Sequence, residues 1–442
     1  MSGKKGQLLE LAEQAVALAK KKGAQDAAAS AYRSREVELT WRDGKVEKVS
    51  EATTRGLALE LYVDERYSSV STSDLRPAAL ERFVAEAVSV ARTLAKDRYR
   101  ALPEPKLYEG RSHMDLELCD PGYADVTADV RRRVARELEE AARSVTAPIV
   151  SVTTAVSDSF GESARVTSNG FVGERESTAF WMSADVSCKD PDGRRPEMGD
   201  YAGARFFKEL PPAADVGRRA TERTLACIGA KKTESGTLTL IVENRAASRL
   251  LSSFLAAAYG RALQQKQSFL EGQLGKLVGS KLFTVTDEPL LPRAFGSRHF
   301  DGEGIAARKR SVVAAGTLSS YFIDVYYGRK LKMAPTSGSP SNLVLPPGKK
   351  GLEALLADAK DGIFVTSFLG GNSNATTGDY SFGIQGFRVR GGKRAEPIAE
   401  MNVSGNHKDL WKKLVALGND PWPYSSMRTP TLVFEGVSVA GL

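Results

Sequence analysis

Histidine occurs three times in 442 residues and cysteine three times, and this scarcity limits the chemistry open to the chain. A zinc site needs three protein ligands, and helical sites place two of them four residues apart. His113, His299 and His407 never come within four positions of one another, and the nearest cysteine to any of them, Cys119, is six positions from His113. A local metal site is therefore excluded, and only one assembled by the fold from distant segments stays open. Cys119, Cys188 and Cys227 are odd in number, far apart and in no C-x-x-C pair. That spacing argues against a zinc ribbon or a disulfide scaffold and predicts reduced thiols. No G-x-S-x-G elbow offers a nucleophilic serine, and no G-x-x-x-x-G-K-[ST] loop offers a phosphate cradle. No run approaches the roughly 18 uninterrupted apolar residues of a membrane-spanning helix. Met1-Ser-Gly-Lys-Lys-Gly also leads into an amphipathic stretch without the apolar segment of a secretory signal. The expectation is a cytoplasmic chain with no membrane partner.

Hydrophobic residues make up 42% and charged residues 26%, the balance of a globular protein rather than a disordered or fibrous one. The length favours two or three domains. Lys and Arg number 62 against 54 Asp and Glu, a net charge of +8 that suits nucleic acid, an acidic partner or an acidic peptide. The basic clusters at residues 20–22, 131–133, 308–310 and 412–413 are short and scattered, which points to solvated faces rather than a nucleic-acid footprint.

Residues 7–22 carry Leu8, Leu11, Ala12, Ala15, Leu18 and Ala19 at helical spacing, ended by a Lys run and Gly23. Residues 27–73 change to short β-type runs, a meander of about four strands, with Asp43-Gly44 marking a hairpin. Pro77 opens a second helix whose stripe runs from Leu80 to Leu94. An irregular, Pro- and Gly-bearing stretch at 97–123 is a linker. A helix through Val126, Val130, Val134, Leu138 and Ala142 follows, then strands over 149–207 and a helix over 213–227. Thr237-Leu-Thr-Leu-Ile-Val242 is an apolar strand before a helix carrying Leu250, Leu251, Phe254 and Leu255. The remainder is glycine- and strand-rich, with helices near 352–359 and 408–417. The predicted class is α+β: helix-flanked antiparallel modules at 1–110 and 111–230, then a β-dominated domain at 231–442.

His299-Phe-Asp301 and His407-Lys-Asp409 each set a carboxylate two residues from an imidazole, a spacing that on a strand shares one face and could serve a general base. Surface hydrogen bonding explains the same spacing. Gly302-Glu-Gly-Ile-Ala-Ala307 fits G-x-G-x-x-A formally, but no apolar strand precedes it and Glu303 would repel a phosphate. Its glycines suit a tight turn or the close approach of another backbone. Arg388-Val-Arg-Gly-Gly-Lys-Arg394 reads as a hairpin with a basic tip.

Six blocks lie in order toward the C-terminus. They are Phe300-Asp-Gly-Glu-Gly-Ile-Ala-Ala-Arg-Lys-Arg310, Gly316-Thr-Leu-Ser-Ser-Tyr-Phe-Ile-Asp-Val-Tyr-Tyr-Gly-Arg-Lys-Leu331, Thr377-Gly-Asp-Tyr-Ser-Phe-Gly383, Gly405-Asn-His-Lys-Asp-Leu410, Ala416-Leu-Gly-Asn-Asp420 and Thr429-Pro-Thr-Leu-Val-Phe-Glu-Gly-Val-Ser-Val-Ala-Gly441. In that order and spacing they resemble the signature blocks of the TldD/PmbA family, also known as modulators of DNA gyrase. The resemblance implies that a TldD-type subunit carries an H-E-x-x-x-H helix and a later Cys that hold a catalytic metal. Here the corresponding stretch, residues 250–263, has no His, Cys, Asp or Glu, and residues 419–430 have no Cys. The chain is therefore similar to the metal-free TldE (PmbA) partner.

The resemblance implies a hetero-oligomer with a TldD-type catalytic subunit. It would cleave unfolded peptides in peptide maturation or antitoxin degradation, with zinc expected in the partner and no cofactor, metal ligand or catalytic residue in this chain. Whether homodimers form first stays open. Gly302, Glu303 and Gly304, together with Gly378 and Asp379, are candidates for lining a peptide chamber, with ordinary turns as the alternative. A nucleic-acid or topoisomerase-associated binding protein remains a competing reading. So does an independent hydrolase using His299 or His407.

Overall fold

The computed structural model describes residues 6–442; residues 1–5, on which the reading of the N-terminal segment partly rests, lie outside the described residues. The first unit runs α1 (Gln7–Lys21), β1 (Asp26–Arg42), β2 (Lys45–Val63), β3 (Arg66–Thr72) and α2 (Pro77–Ala91). Helix α1 buries Ala12, Ala15, Val16 and Ala19, one stripe at helical spacing. Pro77 opens α2 at its first turn, where a missing N–H costs nothing. The β1–β2 hairpin turns through Asp43 (φ 46°) and Gly44 (φ 82°), the paired left-handed residues of a tight hairpin. The second unit runs α3 (Ala128–Ser144), β4 (Ile149–Thr167), β5 (Val172–Cys188), β6 (Glu197–Ala204) and α4 (Ala213–Leu225). The Thr127 hydroxyl accepts from Val130 N–H to cap α3.

Both units contribute to one six-stranded antiparallel sheet, ordered β3-β2-β1-β4-β5-β6. Along β1, Ala27, Ala29 and Ala31 pack with the α1/α2 core and Leu39 packs with the α3/α4 core. These residues have the same parity, and the register is unbroken until Thr40. All four helices therefore cover the same face of the sheet. The meander expected between residues 27 and 73 is three strands rather than four, two of them very long. The polar stretch Arg33-Ser-Arg-Glu36 is the part of β1 between the two helix pairs, where no apolar side chain is required. Helix α2 also ends before Leu94, which is 39% exposed.

The last unit contains β7 (Gly236–Val242), α5 (Asn244–Leu255), α6 (Gly260–Gln264), β8 (Val285–Asp287), β9 (Arg310–Ala314), β10 (Thr317–Leu318), α7 (Val325–Leu331), β11 (Leu343–Val344), α8 (Leu352–Ala359), β12 (Gly362–Ser373), β13 (Asp379–Arg390), β14 (Lys393–Asn406), α9 (His407–Leu410), β15 (Leu414–Leu417), β16 (Met427–Arg428) and β17 (Leu432–Ala440). Strands β14-β13-β12-β7-β17 form a barrel, closed where β17 meets β14 between Asn402↔Ala440 and Ser404↔Ser438. Closure removes the free edges that an open sheet leaves. Leu240 and Val242 of β7 face the large core shared with α5, while Ile241 faces the α8 side with Phe364 and Val433. The helix expected over 408–417 is one short turn of α-helix and one of 3-10 helix, followed by β15. Pairing of Leu414↔Phe434 with β17 overrides the helical spacing. The class is α+β as expected, with the C-terminal part dominated by strands.

Arg131 on α3 and Asp158 on β4 form a buried two-point ion pair, Nε to Oδ2 at 2.5 Å and Nη2 to Oδ1 at 2.9 Å. Removing one partner strands the other charge away from water. Arg131→Ala is therefore expected to cost about 3–5 kcal/mol in urea unfolding, with Arg131→Met/Asp158→Leu recovering most of that loss. A midpoint for Arg131→Ala equal to the wild type would contradict this assignment.

Candidate functional site

Strand β7 delivers the chain into α5, whose start is fixed by Glu243. Its carboxylate receives Arg223 of α4 at 2.7 and 2.9 Å. Helix α5 then buries Ala247, Leu250, Leu251, Phe254 and Leu255, the i, i+3, i+4, i+7, i+8 stripe of a core helix. Across α5 and α6 the polar positions are Asn, Arg, Ser, Gln and Tyr, with no imidazole, thiol or carboxylate. Arg245 pairs with Asp200 and lies 4.3 Å over the Trp422 ring, while Arg249 lies over Phe382. Arg245 thus compensates a buried carboxylate as well as packing on a ring, and Arg249 packs on a ring.

The imidazole of His407 is the one that reaches this helix. It is fully buried, with Phe254 at 6.4 Å, Phe269 stacked at 6.1 Å and Tyr380 at 4.9 Å between ring centroids. Its Nε2 lies 3.1 Å from Ser373 Oγ, and Nδ1 has no hydrogen-bond partner among the described residues. Burial pushes its pKa down to about 4, so the ring is neutral at physiological pH. Asp409 does not join it. That carboxylate is exposed and lies 3.9 Å from Lys412.

His299 Nε2 is 2.8 Å from Met114 O, and Asp301 Oδ1 accepts from the N–H groups of Glu303 and Ile305. Neither histidine–aspartate pair is assembled. Among the described residues no three His, Cys, Asp or Glu side chains are arranged to hold a metal ion. One neutral imidazole beside an apolar helix does not make a zinc donor set. The metal that the resemblance assigns to TldD-type subunits therefore has no fitting residues here.

The turn at Gly302, Glu303 and Gly304 lies at the joint between the first sheet and the C-terminal unit. Arg175 of β5 donates to the carbonyls of Phe300 and Asp301, and Phe171 packs edge-on to Phe300 at 4.9 Å. Gly304 has φ +97°, and a Cβ there would meet the Phe171 ring at 2.8 Å, so close approach requires glycine. Glu303 Oε2 accepts from Val325 N–H at the start of α7, 3.0 Å away. Burial, then the neighbouring carboxylates Asp301, Asp324 and Glu60, push its pKa up to about 8 against that bond.

Gly378 and Asp379 occupy a different place, the β12–β13 turn. Asp379 accepts from Thr377 Oγ1 at 2.6 Å and Asn406 Nδ2 at 2.8 Å, which lowers its pKa. Gly378 (φ +89°) approaches Asn406 so closely that a Cβ would sit 2.7 Å from its Oδ1. The two candidate turns share no hydrogen-bond partner.

Sequence reading did not single out a cavity of about 260 Å³ beside α5, lined by Phe254, Phe269, Leu270, Val278 and the polar Gln273, with Leu277, Lys408 and Lys412 also lining it. The i, i+4 spacing of Lys408 and Lys412 was visible, but a loop remote in sequence completes the wall. A wider cleft of about 1320 Å³ lies on the helix-bearing face of the first sheet. Both signs of charge line it, with Arg33–Glu162 paired at 2.8 Å and Arg76–Asp74 at 2.5 Å.

An acid with a higher pKa when folded holds its proton in the folded chain alone between about pH 4.5 and about pH 8. Stability therefore falls as pH rises through that window and is flat above it. Glu303→Gln should flatten this decline in a series of melting temperatures from pH 5 to 9. An unchanged slope would remove Glu303 as its source.

Three family models together match most of the chain. They are PmbA/TldA metallopeptidase domain 1 at residues 27–91, the central domain at 121–228 and the C-terminal domain at 235–441. The chain is 29% identical to the metalloprotease PmbA homolog of Haemophilus influenzae, over 97% of this chain and 94% of that protein. It is 28% identical to metalloprotease PmbA of Escherichia coli O157:H7, over 92% and 90% respectively. A crystal structure from Bacteroides thetaiotaomicron, named as a candidate modulator of DNA gyrase, superposes with a TM-score of 0.95 at 41% identity, covering 98% of this chain and 99% of that one. On the strength of three consecutive domain matches and near-complete superposition, the chain belongs to the PmbA/TldD family of metallopeptidases.

Proposed function

We propose that this chain is the non-catalytic, TldE-type subunit of a two-component protease and pairs with a metal-bearing TldD-type subunit to cut unfolded peptides. The observation that carries the reading is helix α5. It fills with Leu250, Leu251, Phe254 and Leu255 the core where a catalytic relative needs ligating side chains. A metalloprotease family and a helix with no ligand are reconciled when the cation, zinc by the family's chemistry, resides in a second subunit. That cation would polarise the peptide carbonyl and activate water.

The edge of β2 suits a partner. Residues 45–56 pair with β1 on one side and have no strand among the described residues on the other, since β3 runs only alongside Leu57–Val63. Val49 on that edge is 56% exposed. Such an edge offers unpaired backbone N–H and C=O groups to another chain. In the competing nucleic-acid reading the basic clusters should be free, and they are largely engaged. Arg131 is buried on Asp158, Lys309 and Arg310 pair with Glu288 and Asp287, and Arg390 and Arg394 pair with Glu396 and Glu353.

The test is co-expression with a TldD-type protein of the same source. The expected result is a complex that survives high salt, metal that follows the partner, and cleavage of an unfolded peptide by the complex but not by this chain alone. Stoichiometric zinc and peptide cleavage in the isolated chain would overturn the reading. Salt-sensitive DNA binding without a complex would favour the nucleic-acid alternative.

A further inference from the structure

We infer that the cavity beside α5 is a receptor for the C-terminal residue of a peptide, with its apolar side chain in the cavity and its free carboxylate held by Lys408 and Lys412. This rests on the reading of the chain as a peptide-handling subunit and names what one of its sites would recognise. The walls come from three separate segments. Phe254 is on α5, Phe269, Leu270 and Val278 are on the loop after α6, and the lysines follow β14. The four wall residues are buried, whereas Leu277 is 62% exposed. Apolar surface thus continues outward from the cavity to solvent. A cavity of about 150 Å³ accommodates a benzene ring, so about 260 Å³ suits one aromatic or branched aliphatic side chain rather than a folded partner's surface.

Charge selects the occupant. Lys408 forms no ion pair with any described carboxylate, and Lys412 reaches Asp409 only at 3.9 Å. Asp379, the acid on the same side, accepts from Thr377 and Asn406 and feels the Lys408 charge, but makes no direct ion pair with it. Two under-compensated ammonium groups over an apolar hole match an anion attached directly to an apolar group, the chemistry of a peptide's last residue. A neutral apolar side chain inside a peptide would leave both lysines unmatched, and a nucleic-acid phosphate would leave the cavity empty.

The experiment titrates the full-length chain calorimetrically with acetyl-Gly-Gly-Phe and with its C-terminal amide. The acid should bind about tenfold more tightly, the combined effect of two partly exposed charge contacts. Lys408→Gln/Lys412→Gln should abolish that preference, and Leu277→Asp should weaken both peptides. Equal binding of acid and amide, no binding of either, or a preference that survives the double lysine change would each overturn the inference. Co-purification of the unaltered chain with the TldD-type partner, set beside its own acid-against-amide titration, separates the two claims. If the complex forms but no acid preference exists, the cavity assignment alone fails. If the acid preference exists but no complex forms, the subunit reading alone fails.

Discussion

Strands β1 and β4 pair without interruption from Ala28↔Thr167 to Arg42↔Thr153. Without that pairing, each N-terminal unit would be a small three-stranded sheet with two helices and one bare face. Joined, they make a single sheet whose helices all lie on one side, so the other face becomes a platform wide enough to carry the C-terminal unit. The pairing also leaves the middle of the helix-bearing face uncovered, since α1/α2 and α3/α4 occupy opposite ends of the long strands. There the sequence turns to Arg and Glu, and it is there that the wide charged cleft opens.

The platform is bonded mainly through aromatic rings and arginines. Trp181 of β5 stacks on Phe295 at 4.7 Å, and Trp422 Nε1 donates to Tyr201 OH at 3.0 Å. Asp200 of β6 accepts from both Arg219 of α4 and Arg245 of α5. Asp200 is buried, and two guanidiniums compensate its charge from opposite sides of the joint. The position of α5 relative to the first sheet is therefore fixed by charge as well as by packing. A helix held this firmly is a precise scaffold, whether its inward side chains ligate a cation or fill a core.

Much of this was legible in the sequence where the local signal and the tertiary outcome agree. Asp43-Gly44, Pro77 and the Ala-rich stripe of α1 each specify their structure within a few residues. The 408–417 segment was misread because its apolar residues satisfy both periods, and only the distant strand β17 decides between them. The fusion of two units into one sheet was invisible for a similar reason. Nothing in β1 alone states that β4, more than 100 residues later, lies beside it. At the candidate site, the want of ligands on α5 could be read directly. The cavity wall could not, because Phe254, Phe269 and Lys408 converge only in the folded chain.

A helix whose inward face carries no metal ligands has two physical options. It can keep polar side chains facing a water-filled hole, or it can close the hole with apolar volume. Leaving buried polar groups unpaired costs on the order of 1–3 kcal/mol each, whereas filling with Phe or Leu contributes a similar amount in the opposite direction. Phe254 takes the second course, sealed by Phe283 at 5.2 Å and Trp411 at 5.7 Å. The filling stops short beside Phe269, and behind it His407 Nδ1 has no hydrogen-bond partner among the described residues. A core under selection for stability alone would be expected to close that remaining space and satisfy that nitrogen. The space that remains, beside an otherwise densely packed helix and next to Lys408 and Lys412, is the one the proposed peptide terminus would fill.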